Sequence, residues 1–120
     1  MYEHIKALPQ KPLFLGFGDL RLSLAGVQDK AAVCMIDHKI ALPQQNCPTT
    51  HILKPASHAF TNLCENEFIC MHLAKSIGLK VAPVEIRHIK DIAYLLIERF
   101  DRIILKNTVT RVHQEDFCQA

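Results

Sequence analysis

The stretch Ser23-Leu24-Ala25-Gly26-Val27-Gln28-Asp29-Lys30 constrains this chain more than any other, because it is a short turn between two apolar runs, Phe14–Leu24 and Ala31–Ile36. Its first residues are small (Ser23, Ala25, Gly26) and its last are hydrogen-bonding or charged (Gln28, Asp29, Lys30). Gly26 lets the backbone bend and approach a ligand without a Cβ in the way, so successive N–H groups can close on an anion. A phosphate loop of this kind needs a second lysine on the next inward-facing strand. Thr50-His51-Ile52-Leu53-Lys54 supplies one.

Size and charge narrow the remaining choices. A chain of 120 residues is one domain or a piece of one. At this length about two-thirds of the unfolded surface can be buried, and 49% apolar residues make a packed core the expectation. A formal charge of +2 without a basic tract argues against direct nucleic-acid binding. No apolar run approaches the roughly 18 residues of a membrane span, and Met1–Lys6 lacks the pattern of a signal peptide. The five cysteines, Cys34, Cys47, Cys64, Cys70 and Cys118, are odd in number and irregularly spaced. They fit reduced thiols in a cytoplasm better than a disulfide framework.

Periodicity predicts the element order. Leu20–Leu24 alternates as a half-buried strand, and Ala31–Ile36 is its antiparallel partner. A turn at Asp37–Lys39 leads to a short strand at Ile40–Leu42. A further strand at His51–Lys54 is ended by Pro55. Leu63, Glu67, Cys70, Met71 and Ala74 recur at helical spacing, which predicts a helix over Asn62–Ile77, capped by Asn62 and stopped by Gly78. Val84–Ile89 alternates, and Ile92–Ile97 is a more continuous apolar run; both are strands. Ile103–Thr110 carries no clear period, and His113–Ala120 opens a helix-like pattern. The class is α+β, a twisted antiparallel sheet of about five strands with one main helix on a face.

A phosphate turn, a strand lysine (Lys54), a helix glutamate (Glu67) and an acidic residue after the fifth strand (Glu98) stand in the order of the small lobe of a protein kinase. The usual Gly-x-Gly-x-x-Gly loop is absent. The loop in its place resembles that of the HipA family of bacterial serine/threonine kinases, the toxins of toxin–antitoxin pairs linked to persistence. The resemblance runs from Gly18 to Ala120, after a lead-in of residues 1–17. Its anchors are Arg21–Lys30, Pro48–Lys54, Asn66-Glu67, Leu73–Leu79, Glu98-Arg99-Phe100-Asp101-Arg102 and Gln114–Gln119. Each motif alone is only a hypothesis; six in order are specific.

The resemblance implies roles for matching residues. Ala25, Gly26, Val27, Gln28, Asp29 and Lys30 would form the ATP-phosphate loop. Lys54 would meet the α/β-phosphates as a point charge, and Glu67 would hold it. Glu98, Arg99 and Phe100 would be the hinge at the adenine edge, with Asp101 beside the ribose. Ser23 matches a serine that family members autophosphorylate; about two added negative charges there would repel the nucleotide. ATP with Mg²⁺ is the cofactor implied for the complete kinase. The family's catalytic aspartate, asparagine and metal-binding aspartate belong to the large lobe, which would begin after Ala120. The chain thus reads as an ATP-side lobe with negligible activity alone. It could be a piece of a longer protein, or the product of a gene broken by an early stop. The family also implies an antitoxin of the HipB type, a split N-terminal subdomain protein and an aminoacyl-tRNA synthetase substrate.

Other readings compete. A non-catalytic interaction module could dimerise, or bind an antitoxin or split partner, through the apolar face left by a missing lobe. Taken singly, Ser23–Lys30 could be an ordinary hairpin turn, Lys54 a solvated lysine and Glu67 a surface carboxylate. Cys64, Cys70 and His72 do not have the spacing of a zinc site, so no metal ligands are assigned. A Cys/His nucleophile lacks an orienting acid.

Overall fold

The computed structural model describes residues 28–41, 43, 48–57, 59–105 and 108–118. The expected strand at Leu20–Leu24, the lead-in over residues 1–17 and the loop residues Ser23–Val27 lie outside the described residues. The chain order is β1 (Ala31–Ile36), β2 (Lys39–Ala41), β3 (His51–Pro55), α1 (Leu63–Ser76), β4 (Val84–Ile89), β5 (Ile92–Glu98), β6 (Arg102–Leu105) and β7 (Thr108–Arg111). The first five strands form one antiparallel sheet in the order β2-β1-β3-β5-β4, and β6 pairs with β7 separately. The sheet curls into a half-barrel, so the fold is the α+β arrangement expected.

Two neighbours explain why β5 reads as a continuous apolar run. It lies between β3 and β4, with Leu95 paired to Lys54 on one side and Ile86 on the other. Tyr94, Leu95 and Leu96 are all buried although successive side chains point to opposite faces. One face carries the cluster Val33, Leu53, Tyr94 and Leu96. The opposite face carries Leu95, under α1, whose Cys64 is buried and donates its thiol to the Lys54 carbonyl at 3.7 Å. Burying a leucine such as Leu95 contributes about 1.5–3 kcal/mol.

The ends of α1 follow one expectation and correct another. Gly78 terminates the helix at φ 90°, where its N–H donates to Lys75 O at 3.1 Å and that of Leu79 to Ala74 O at 3.1 Å. This pair of bonds is the Schellman arrangement, which needs the left-handed conformation glycine adopts freely. Asn62 does occupy the N-cap, but at φ 57° with no side-chain capping bond. Its contribution is tolerance of a left-handed turn, while its carbonyl accepts the first helical bond from the Asn66 N–H at 2.9 Å.

The C-terminal part differs more. β6 and β7 pair antiparallel from Arg102↔Arg111 to Leu105↔Thr108, and Val112 N–H donates to Asp101 O at 3.0 Å beyond their open end. The helix-like pattern at His113 forms no helix among the described residues. Residues 112–116 have no regular structure, and Phe117–Cys118 is a turn in which the Cys118 N–H donates to the Asp116 carboxylate at 2.9 Å. The Asp116 carboxylate offers the backbone there a local alternative to a helix.

Candidate functional site

β3 presents Lys54 to the face covered by α1, and one helix turn after Cys64 the same helix presents Glu67. Lys54 Nζ donates to Glu67 Oε1 at 2.5 Å. The two side chains keep 19% and 26% of their exposure, so the pair is sheltered but not sealed. An ammonium has three donors, and Glu67 takes one. β1 pairs with β3 through Ala31↔Leu53 and Ala32↔Ile52. Continuing that register by one residue sets Lys30 across from Lys54. Gln28–Lys30, the described part of the expected phosphate loop, therefore leads into the strand beside Lys54. Within it, Gln28 Nε2 is buried without a hydrogen-bond partner. A buried orphaned donor two residues before Lys30 suits an acceptor-rich ligand such as a phosphate.

The segment after β5 is organised differently. Glu98 N–H donates to Pro83 O, and Arg99 N–H to Thr50 O, both at 2.9 Å. Phe100 is exposed. Asp101 is buried, and both of its carboxylate oxygens are engaged: Oδ1 by Arg99 Nε at 2.9 Å, and Oδ2 by Arg99 Nη2 at 2.7 Å and Arg102 Nη1 at 2.9 Å. The guanidinium groups also reach back across some fifty residues of sequence. Arg99 Nη1 donates to Thr49 Oγ1 at 3.0 Å, and Arg102 Nε to Thr49 O at 2.8 Å. The bidentate bonds from Arg99 hold the Asp101 carboxyl below the usual range against the opposing effect of burial. Burial, with Arg99 close by, pulls Arg102 down, although a guanidinium stays cationic.

Thr49 and Thr50 had no assigned role from sequence. Both are buried. Thr50 N–H donates to Val33 O at 2.9 Å, and Thr50 Oγ1 accepts from Met35 N–H at 2.9 Å. The hydroxyl hydrogen is then available to His51 Nδ1, 2.8 Å away. Burial pushes the His51 pKa down, more than neighbouring Glu98 raises it, which favours the neutral ring this bond needs. Burial pushes the Cys64 thiol up, so it is a packed hydrophobe with a weak donor. Among the described residues no three His, Cys, Asp or Glu side chains are grouped as metal ligands, and no helix is long and apolar enough to cross a membrane.

The structure thus brings Lys54, Glu67 and the strand entry at Gln28–Lys30 together. It groups Arg99 and Asp101 in a separate cluster. Ser23, Ala25, Gly26 and Val27 lie outside the described residues.

Comparison with known proteins agrees with this architecture. A protein of Sinorhizobium fredii, "Putative kinase Y4mE", is 50% identical over 117 residues, covering 97% of this chain and 28% of its own length. The serine/threonine-protein kinase toxin HipA of Shewanella oneidensis is 40% identical over 111 residues, covering 91% of this chain and 25% of that protein. The chain therefore spans about a quarter of the length of these relatives. HipA of Shewanella oneidensis, solved with HipB and its operator DNA, superposes with a TM-score of 0.69 at 35% identity, covering 92% of this chain and 26% of that one. Residues 22–120 match the model of the HipA-like C-terminal domain, and the chain belongs to that family.

Proposed function

We propose that this chain supplies the ATP-binding side of a HipA-like serine/threonine protein kinase. The observation that carries the reading is the Lys54–Glu67 ion pair, formed by a strand and a helix that bring opposite charges together on one face of the sheet. Lys54 would neutralise phosphate charge, Glu67 would fix the ammonium, and Gln28 and Lys30 would contribute an amide and a second cation. Ala25–Val27 would add backbone donors. Glu98–Phe100 would border the adenine, where the amides of Glu98 and Arg99 are already bonded within the chain. Mg²⁺ with ATP would supply further charge neutralisation at the phosphates. Catalysis in such enzymes is mainly positioning and electrostatics, and this segment would provide the positioning half. The remaining three-quarters of the relatives' length would provide base and metal ligands. Ser23 would be the regulatory phosphorylation site, and an aminoacyl-tRNA synthetase the class of protein substrate.

The Shewanella oneidensis relative was solved with HipB and operator DNA. On that likeness an antitoxin is the proposed partner, and a formal charge of +2 does not exclude nucleic acid. A cytoplasmic location goes with this reading.

Titration of the isotope-labelled chain with Mg–ATP, followed by NMR, tests the proposal. Half a cleft buries much less than the 70% of a ligand typical of a tight site, so binding is weak. Shifts concentrate at Gln28–Lys30 and Lys54 and vanish in Lys54→Met. Shifts confined to other surfaces overturn the reading. Phosphoryl transfer by the isolated chain is negligible; a measurable rate contradicts the division of labour.

A second reading, an interaction module, has its own observation. Ile69 and Leu73 on α1 and Ile77 at its C-cap are exposed, as are Ile103, Ile104 and Leu105 along β6. A helix apolar on both sides is normally covered on both. A mass that rises with concentration in sedimentation supports this reading, and a monomer at high concentration counts against it.

A further inference from the structure

We propose that Asp101 is a positioning residue for Lys54: it locks Arg99 and Arg102 into a clasp on Thr49, and so fixes the strand that carries the lysine. The functional half of this inference rests on the reading of Lys54 given above; the clasp rests on geometry alone.

Asp101 accepts three bonds from the two guanidinium groups, one at Oδ1 and two at Oδ2. The same guanidinium groups also donate to Thr49 Oγ1 and Thr49 O, and Arg102 Nη1 donates to Asp101 O at 2.8 Å. The carboxylate thus sets the direction of two planar forks, and the forks hold one residue. That residue is the entry to β3. The next one, Thr50, is bonded on three sides: its carbonyl to the Arg99 amide, its amide to Val33 and its hydroxyl to Met35. Thr49-Thr50 is therefore the joint at which β1, β3 and the end of β5 meet, four residues before Lys54. β1 leads back to Gln28–Lys30 and β5 leads into Glu98–Phe100. A shift of the joint would move the lysine relative to both borders of the cleft.

The cluster is built for holding. Arg99, Asp101 and Arg102 retain 12%, 8% and 6% side-chain exposure. Water competes little for such bonds, and the charge-assisted bidentate fork is directional as well as strong. A cluster serving only to add stability could attach anywhere. This one reaches about fifty residues back to the strand entry.

Amide hydrogen exchange by NMR on the full chain tests it without nucleotide. Asp101→Asn keeps the shape and removes the charge. Thr49→Val removes one acceptor, and Thr49→Ser restores it. In Asp101→Asn and Thr49→Val, the amides of Met35, Thr50 and Arg99 exchange about tenfold faster or more, while the β4–β5 ladder keeps its protection. Thr49→Ser returns them to the parent rates. An equal rise across both regions reduces the cluster to general stability and overturns the proposal, as does no change at the three amides. Titration of the parent chain with Mg–ATP separates the two readings. The local exchange pattern without any nucleotide shifts leaves the clasp standing and removes the ATP assignment.

Discussion

Two ion-paired centres lie within one short sheet and are built on opposite plans. Lys54 meets Glu67 through a single bond, and both side chains keep about a fifth to a quarter of their exposure. Arg99, Asp101 and Arg102 are nearly sealed, and they bond to each other and to Thr49. A cation with unspent donors and partial access can still gain from a ligand. A nearly sealed, mutually bonded cluster has little access to one and loses much when a member is removed. Both would read as charged residues beside an apolar strand, yet the first is suited to binding and the second to holding.

The largest test of this contrast removes the central carboxylate. Asp101→Ala leaves two buried guanidinium groups without their counter-charge, and breaking a buried pair costs about 3–5 kcal/mol. Urea unfolding should show a loss of that order. A loss below about 1 kcal/mol would place the cluster with ordinary surface pairs. Next is Thr49→Val, which strands one Arg99 donor while nearly conserving volume. A buried group left unsatisfied costs about 1–3 kcal/mol, and the same unfolding curves check it. Lys54→Met should cost less than about 1 kcal/mol, since the pair is partly open and its alkyl stem is retained. Its effect should fall on Mg–ATP binding instead. A stability loss equal to that of Asp101→Ala would erase the distinction between the two centres.

The difference between the centres also marks what the sequence could show. Local signals were enough for the first. Alternation in Val84–Ile89, the apolar run of β5 and the glycine after Ser76 place strand, strand and helix end within a residue or two. Lys54 and Glu67 follow once strand and helix are placed in order. The second centre joins Thr49 to Arg99 and Arg102, and no spacing rule links residues so far apart. Glu98–Arg102 could be named from family resemblance, but the turning of Asp101 toward two arginines depends on the packed sheet. The β6–β7 hairpin was also illegible, because Ile103-Ile104-Leu105 does not alternate and no glycine marks a turn. Asn62 shows the converse: its position was legible, but its function depends on a backbone angle.

The smallest expected effect separates the two sides of the joint by pH. Burial holds the His51 pKa below its ordinary 6.5. Between the folded and unfolded values the unfolded chain binds more protons, so stability rises with pH across that window. The contribution is whole above 6.5 and is lost as pH falls toward the folded value. Asp101 acts in a separate window: its depressed pKa gives a contribution that is whole above 3.8 and lost as pH falls through the folded value. Urea midpoints measured from pH 7 downward should therefore drop in two stages. His51→Gln should flatten the first stage and leave the second in place. If it follows the parent protein through both, the Thr50 hydroxyl is not holding a neutral ring, and only the arginine side of the joint senses acid.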